Sequence, residues 1–477
     1  MVAEMNDNIR DFIKKYSKAI SEGNAAIFAG AGLSIPSGYV NWSGLIKDFA
    51  EEIHLDVNKE KDLIEVIQFY CNSKGGRGAV NDAIYDKFTK KAKSNINIQI
   101  LSKLPISTYW TTNYDKIIEN ELEKAGKIVD IKIVPESLAL TKSNRDAILY
   151  KMHGDCDNPS GCILTKDDYE SYNINRQLFT TALQGDLVSK TFLFIGFSFD
   201  DPNLRYILSR IRVLLGENRR EHYFFTKKLS KADCKPQKDY SYYNNRRNLQ
   251  INDLLRYGIR AVEIEDFSEI PYILNKVSMH VYTKKVFVAG SCRYYGEWDK
   301  ESAFIFMSLL GHKLVENGFS VHTGMIEGVG PQIINGVLSA ISENKLQIDK
   351  FLRITTLPLI NGDDSHIDIE AKRMFQNNMI SETGIVIFLF GNQYYDGVLK
   401  SSKGVLHDYY RAKEQNKYMI PVGSTGFAAH DILLDMKSNR EHYSYLNEYW
   451  DVLQSEKKPD KLSDIVIDVI RTITSSI

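Results

Sequence analysis

Phe28-Ala29-Gly30-Ala31-Gly32-Leu33-Ser34 closes a short apolar run that begins at Ala25, and its reading decides the fold. An apolar stretch ending in two glycines one residue apart describes a buried strand turning sharply into a helix. Gly30 and Gly32 let the backbone there approach a diphosphate closely. Thr111-Thr112-Asn113-Tyr114-Asp115 follows a second apolar run, and His153-Gly154 follows another. A further run, Thr191-Phe192-Leu193-Phe194-Ile195, ends in Gly196-Phe197-Ser198-Phe199-Asp200-Asp201-Pro202. Each motif alone is weak. Their order puts every one at the C-terminal end of a candidate strand, the edge where doubly wound sheets bind ligands.

The chain has 477 residues, enough for two or three domains. Lys and Arg number 60 against 61 Asp and Glu, a net charge of -1, so no global field favours nucleic acid or an acidic membrane. Neither is expected as a partner. Cys71, Cys156, Cys162, Cys234 and Cys292 form no Cys-x-x-Cys pair, which argues against zinc ribbons and a disulfide framework and for a reducing compartment. The first twenty residues are charged and helical in period rather than signal-like, and no apolar run approaches ~18 residues. A cytoplasmic protein without a metal is the expectation.

Ile9, Phe12, Ile13, Tyr16 and Ile20 recur at helical spacing, and Gly23 is a stop before the first strand. Strand-like runs at 25–29, 106–111, 148–152, 191–196, 222–226 and 259–264 alternate with amphipathic helices, which predicts a parallel sheet covered on both faces. Residues 44–104 hold no convincing strand and read as an inserted helical subdomain. The basic, Tyr-containing stretch 219–256 reads as a solvated helical hairpin rather than a nucleic-acid patch. After Thr283-Lys284-Lys285 the pattern restarts with Val286-Phe287-Val288-Ala289-Gly290-Ser291, and runs at 319–323, 351–357, 384–390 and 418–422 follow. The fold class expected is α/β, two Rossmann-like doubly wound domains at 1–283 and 284–477.

Gly30-Ala31-Gly32-Leu33-Ser34, Thr112-Asn113-Tyr114-Asp115, His153-Gly154 and Gly196-Phe197-Ser198 resemble the successive motifs of sirtuin-type NAD-binding domains over roughly 24–265. Two departures stand out: Thr-Asn-Tyr-Asp replaces the usual Gln-Asn-Ile-Asp, and the four-cysteine zinc module of deacylases is missing. Both resemble the branch that consumes NAD. The resemblance implies NAD as substrate, Asn113 and His153 as catalytic residues, and Gly30, Ala31, Gly32, Ser34, Asp115, Gly196 and Ser198 as NAD-binding residues. Cleaving the nicotinamide–ribose bond passes through an oxocarbenium-like state, which needs a held nicotinamide and a positioned water. In that chemistry Asn113 orients the water or a ribose hydroxyl, and Asp115 accepts from the carboxamide. His153 serves as general base. Backbone N–H groups of Ala31, Gly32 and Leu33 would meet the diphosphate. Structural alternatives use the same residues. The glycine loop can be only a tight turn, Asn113 and Asp115 can cap the helix starting near Lys116, His153 can be a packed core residue, and Asp200-Asp201-Pro202 can be only a helix start.

The stretch 284–430 resembles the nucleotide-sensing SLOG family through Gly290-Ser291, Thr323-Gly324 with Gly328-Val329-Gly330, Phe388-Leu389-Phe390-Gly391-Asn392, and Pro421-Val422-Gly423. It lacks the Pro-Gly-Gly-x-Gly-Thr loop of catalytic relatives and so reads as a sensor, with an inert oligomerisation domain as the alternative. Glycines at successive strand ends favour the sensor, because something must need the close approach. Over the whole chain, the fusion resembles the effector family of Thoeris anti-phage systems. That resemblance implies an NAD+ hydrolase assembled as a homo-oligomer, a tetramer favoured. A cyclic ADP-ribose isomer, made by a TIR-domain partner, would activate it. It places effector contacts at Gly290, Ser291, Glu327, Gly328, Leu357, Gly404 and Asp408, with Gln376 and Gln393 standing where the pattern has basic residues. Lys403, Arg373 or His407 could supply the missing charge. A protein deacylase or ADP-ribosyltransferase on the same fold, or a non-catalytic NAD sensor, are the other functions the motifs allow.

Overall fold

The computed structural model describes residues 7–197, 202–216, 218–234, 239–355, 379–395 and 397–475. The chain divides into two units, Met1–Ser278 and Met279–Ile477, a few residues ahead of 283/284.

In the N-terminal unit seven strands form one parallel sheet. They are β1 (Ala25–Ala29), β2 (Thr108–Thr111), β3 (Val129–Lys132), β4 (Ala147–Lys151), β5 (Thr191–Ile195), β6 (His222–Lys227) and β7 (Ile259–Ile264), in the order β3-β4-β2-β1-β5-β6-β7. After β1 the chain builds outward on one side and then returns to place β5 on the other. The switch point therefore lies beside β1, which pairs with β2 at Ala29↔Thr111 and with β5 at Ala29↔Ile195. Every residue of β1 is buried, as a central strand covered on both faces requires.

The opening helix Asp7–Ser21 buries Ile9, Phe12, Ile13, Tyr16 and Ile20. Phe12 meets Tyr223 and Phe225 of β6 edge-on, and the Tyr16 hydroxyl donates to Ala26 C=O at 2.9 Å. Gly23, at φ 72, ends the segment as the sequence reads.

Residues 44–104 are helical as expected: Trp42–Glu52, Leu63–Lys74, Gly78–Phe88 and Ile96–Lys103. Asn41, Asp62 and Asn95 cap three of these helices by accepting backbone N–H groups with their side chains. The apolar faces of the first three helices share a core that includes Tyr114, Cys156, Cys162 and Leu164, so this part of the insertion packs onto the loops of the sheet edge.

β3 is a strand that the sequence reading lacks. Its alternating Asp130 and Lys132 hide the apolar signal. The two carboxylate oxygens of Asp130 pair with Lys132 at 2.8 Å and Arg145 at 2.7 Å. The 219–256 stretch is also corrected. Among its described residues are β6, a short 3-10 helix Lys231–Asp233 and the α-helix Tyr240–Leu255 rather than a helical hairpin, and Arg247 of that α-helix is held by Glu263 of β7 at 2.7 Å.

The C-terminal unit holds a five-stranded parallel sheet of β8 (Lys285–Ser291), β9 (Ser320–Gly324), β10 (Leu352–Thr355), β11 (Ile385–Phe390) and a last strand Tyr418–Pro421, which follows the hairpin described next. The order is β10-β9-β8-β11 and then Tyr418–Pro421. Its switch point is between β8 and β11, paired at Leu389↔Gly290 and Phe390↔Ser291. β12 (Asn392–Tyr395) and β13 (Val398–Ser401) form a separate antiparallel hairpin just beyond β11, absent from the sequence reading. Both units are thus doubly wound α/β folds.

Candidate active site

The motifs follow the C-terminal ends of four adjacent strands, β4, β2, β1 and β5. Thr111 and Lys151 are register partners, so Asn113 and His153 each lie two residues beyond a paired position on neighbouring strands, whose spacing is about 5 Å.

The glycines serve the chain itself first. Gly30 N–H donates to Ile195 C=O at 3.0 Å and Gly32 N–H to Gly196 C=O at 2.8 Å. A Cβ on Gly30 would stand 2.5 Å from Gly196 O, one on Gly32 2.9 Å from Gly196 Cα, and one on Gly196 2.0 Å from Leu33 N. Gly196 also has φ +63. The three glycines therefore let the turns after β1 and β5 interlock. This corrects the expectation for the backbone donors: Gly32 N–H is bound to Gly196, and Leu33 N–H donates to Gly30 C=O at 3.0 Å, so neither is available to a phosphate. Ala31 opens a helix of only four residues, Ala31–Ser34.

Asn113 is buried, and its side chain does not cap the following helix. Its Nδ2 donates to Gly30 C=O at 3.1 Å and to Ser34 Oγ at 3.0 Å, while its backbone N–H donates to Thr111 Oγ1 at 3.0 Å. A carbonyl can only accept, so the nitrogen must face Gly30, and no hydrogen bond among the described residues engages the acceptor Oδ1. Ser34 Oγ, which accepts from Asn113, donates a hydrogen bond toward the Asp115 carboxylate and lowers its pKa, so a line of polar groups runs from Gly30 through Asn113 and Ser34 to Asp115. Asp115 takes part of the capping role, accepting from Ile117 N–H at 3.1 Å. Burial raises its pKa, against the lowering effects of the Ile117 N–H, Lys151 and Ser34.

His153 is 1 % exposed and lies edge-on to Tyr169 at 5.7 Å and Tyr172 at 6.1 Å. Gly154, at φ +98, passes so close to Cys162 Cα that a Cβ would stand 3.0 Å away, which fixes the turn. Ser198 lies outside the described residues, as do Asp200 and Asp201. The helix Pro202–Leu215 does begin on the proline.

Sequence reading missed Tyr114 and Lys151. The Tyr114 ring meets Phe88 of the insertion edge-on, and its hydroxyl donates to Ile163 C=O at 2.7 Å. The tyrosine in Thr-Asn-Tyr-Asp thus anchors the helical insertion to the site. Lys151 is the last residue of β4 and has no exposed surface. A charge ending an otherwise apolar strand was the signal available. Asp155, Cys156 and Asp157 bring ligand-type atoms within 4.8 Å of one another. Their two carboxylates are engaged by Lys151 and Lys116 respectively.

Residues 107–251 match the SIR2-like domain family, and residues 269–473 match the Sir2- and TIR-associating SLOG family. The NAD(+) hydrolase ThsA of Bacillus cereus (strain MSX-D12) is 43 % identical over 93 % of this chain and 92 % of its own length. The chain belongs to the ThsA family. A second ThsA, from Acinetobacter baumannii (strain 532279), is 38 % identical over 97 % of this chain and 98 % of its own. The defense-associated sirtuin 2 of Bacillus subtilis shares 27 % identity over 56 % of this chain but only 26 % of its own length.

In this member of the ThsA family the second unit gathers its effector candidates at the β8/β11 switch point. Ser291 Oγ donates to Asn392 C=O at 3.1 Å, and Cys292 N–H donates to Glu327 C=O at 2.9 Å, drawing together the turns after β8, β9 and β11. Gln393 is exposed on β12. Gly404 and buried Asp408 lie on the helix Lys403–Glu414 that follows the hairpin.

The glycines there also serve the chain first. A Cβ on Gly290 would meet Leu389 O at 2.5 Å, and one on Gly328, at φ +83, would meet Cys292 O at 1.9 Å. Their close approach is therefore to backbone, which removes them as an argument for a ligand. Gly404 differs, with only Ser402 Oγ at 3.6 Å. Leu357, Gln376 and Arg373 lie outside the described residues. Two cations flank the region: Arg293 Nε pairs with Glu327 at 2.8 Å, and Lys403 Nζ stands 5.3 Å from the Tyr395 ring centre. His407 is exposed on the same helix as Gly404.

Proposed function

We propose that this chain, an NAD+ hydrolase by its family, breaks the nicotinamide–ribose bond to release nicotinamide and ADP-ribose, and does so when a cyclic ADP-ribose isomer occupies its SLOG-like unit. The observation that carries the reaction is the orientation of Asn113, whose donors are spent on Gly30 and Ser34 so that Oδ1 alone is presented. An acceptor fixed in this way can hold a water or a ribose hydroxyl in line with the anomeric carbon as charge develops there. Asp115 would accept from the nicotinamide carboxamide once ionised, and His153 would take the proton from the water or ribose hydroxyl.

Gating follows from cellular chemistry: an ungated hydrolase would exhaust the NAD of its own cell. A ligand that moves the enzyme from 1:99 to 99:1 needs ~5.5 kcal/mol of preference for the active state. We place the protein in the cytoplasm, where NAD is available, as a homo-oligomer, tetramer favoured, that answers a TIR-domain enzyme making the isomer. Among the described helices none is long and apolar enough to cross a membrane.

The test is nicotinamide release from NAD+ by the full chain, alone and with a panel of cyclic ADP-ribose isomers. Little release alone and at least ~10²-fold more with one isomer is expected. Full-rate cleavage without any nucleotide would end the gating proposal. NAD binding without nicotinamide release under every condition would favour a sensor, and ADP-ribose appearing on protein rather than free would favour a transferase. Gly404→Leu, which adds bulk where the chain leaves room, should abolish activation with the fold intact.

A further inference from the structure

Behind the turns that carry Asn113, Asp115 and His153 lies a buried ionic cluster that none of the proposed steps uses. Lys151 Nζ donates to Asp115 C=O at 2.7 Å, Tyr114 C=O at 3.3 Å and Glu119 Oε1 at 2.9 Å, and it also bonds Asp155 Oδ2. Glu119 Oε2 is buried with no partner among the described residues. One ammonium thus faces two carboxylates inside the protein, an arrangement that costs desolvation and is weak as a pure source of stability.

Its partners are distributed in a telling way. The two carbonyls belong to the Thr-Asn-Tyr-Asp turn after β2, Glu119 to the helix Ile117–Lys124 that this turn starts, and Asp155 to the His153-Gly154 turn after β4. Asp155 Oδ1 in turn accepts from Asp157 N–H at 2.8 Å, and Cys156 N–H donates to Tyr114 C=O at 3.0 Å.

We propose that Lys151 is a positioning residue for NAD cleavage, its ammonium holding the turn of Asn113 and Asp115 in register with the turn of His153 through Asp155. Burial alone would lower the Lys151 pKa, but Glu119 and Asp155 outweigh it and raise the pKa, so the ammonium stays charged. Burial raises the pKa of Glu119, against the lowering effect of Lys151. A fixed charge whose three N–H bonds are shared among four acceptors is what two short turns from different strands need if groups on both are to meet one substrate.

The inference rests on the NAD-cleaving reading of the site, and wild type assayed in parallel separates the two. Absence of nicotinamide release by wild type counts against that reading and the inference together, whereas variant kinetics test the inference alone. Asp155→Asn removes the charge and leaves one oxygen where Lys151 Nζ and Asp157 N–H now use two, so the amide nitrogen must face one of these donors and the tie to the His153 turn is weakened, while Glu119 still balances Lys151. In the full chain, with NAD+ and the panel of cyclic ADP-ribose isomers, kcat should fall about 10²-fold. KM for NAD+, and NAD+ affinity measured by calorimetry, should stay within about threefold, because no binding group moves far. Asp130→Asn is the control. It opens an equally buried pair with Lys132 on the edge strand β3, and it should lower Tm while leaving kcat within about twofold.

A folded Asp155→Asn with wild-type kcat overturns the proposal, as does an equal loss of kcat in Asp130→Asn. If Asp155→Asn does not fold, the charge-neutral triple variant Lys151→Met/Glu119→Gln/Asp155→Asn takes its place in the same comparison. Failure of both to fold assigns the cluster to stability alone and overturns the proposal.

Discussion

Asn113 shows how a residue type that commonly caps helices is diverted to another task. Asp115 accepts from Ile117 N–H, which leaves the Asn113 amide to bridge Gly30 and Ser34 and to expose one acceptor. Replacing Asn113 by alanine should cut nicotinamide release by ~10²-fold or more. The same change strips Gly30 C=O and Ser34 Oγ of a buried donor, at a cost of about 1–3 kcal/mol. Thermal melting beside the rate assay separates the two effects, and near-normal turnover would reduce Asn113 to a turn residue. His153→Ala should lose ~10²–10⁴-fold in rate and keep NAD+ affinity, since the base touches neither phosphate. Its enclosure by Tyr169 and Tyr172 makes this the sharper test. Retained turnover in a folded His153→Ala would make the ring a core residue.

At the scale of elements, the sheet edge is built by turns that interlock, and Gly196 is where the interlock is tightest. Gly196→Ala forces a side chain into φ +63 and sets its Cβ 2.0 Å from Leu33 N. The left-handed backbone alone costs about 1–2 kcal/mol, and the overlap adds to it, so the turns after β1 and β5 must separate. The expected outcome is a lower Tm together with weaker NAD+ binding by calorimetry. Unchanged values of both would show that the two turns are not coupled. The helical insertion is coupled to the same edge by Tyr114, and also by Arg77, which forks onto Asp168 at 2.9 and 3.0 Å and reaches Cys162 C=O at 3.0 Å. A segment without strands is thereby made part of the site's frame.

At the scale of the molecule, each unit hides one neutral histidine in its sheet. His222 accepts Phe192 N–H with Nδ1 at 3.1 Å, and burial, helped by Arg220, pulls its pKa down to about 3. His322 is lowered to about 3 by burial together with Lys285 and Arg353. A folded pKa below the unfolded one means that the unfolded chain binds the extra proton first. The stability these two groups provide is therefore intact above about pH 6.5 and is lost as pH falls toward 3, at up to about 1.4 kcal/mol per pH unit for each group. Tm measured from pH 7.5 to 4 should fall steadily below about 6.5, and His222→Gln, which keeps an acceptor for Phe192, should flatten the N-terminal unit's share. A slope unchanged by His222→Gln would mean that the histidine does not stay neutral in the folded protein.

The sequence by itself determined the two doubly wound units, the helical insertion and the strand ends that carry the motifs. Those features rest on local periodicity and on apolar runs that end in glycine, signals that short stretches of chain contain whole. It missed β3 because Asp130 and Lys132 look solvated until Arg145 and Lys142 come to them from further along the chain. The β12–β13 hairpin stayed hidden because its strands, only four residues each, are largely exposed and carry no buried alternation. It could not show that the glycines also let neighbouring turns interlock, since a glycine's need for space is visible in sequence but the chain atoms that approach it are not. Only the tertiary structure decided that Asn113 presents Oδ1 and that Lys151, two residues before His153, ties the two turns together. Those facts depend on contacts between residues tens of positions apart, which the folded chain alone brings within hydrogen-bonding distance.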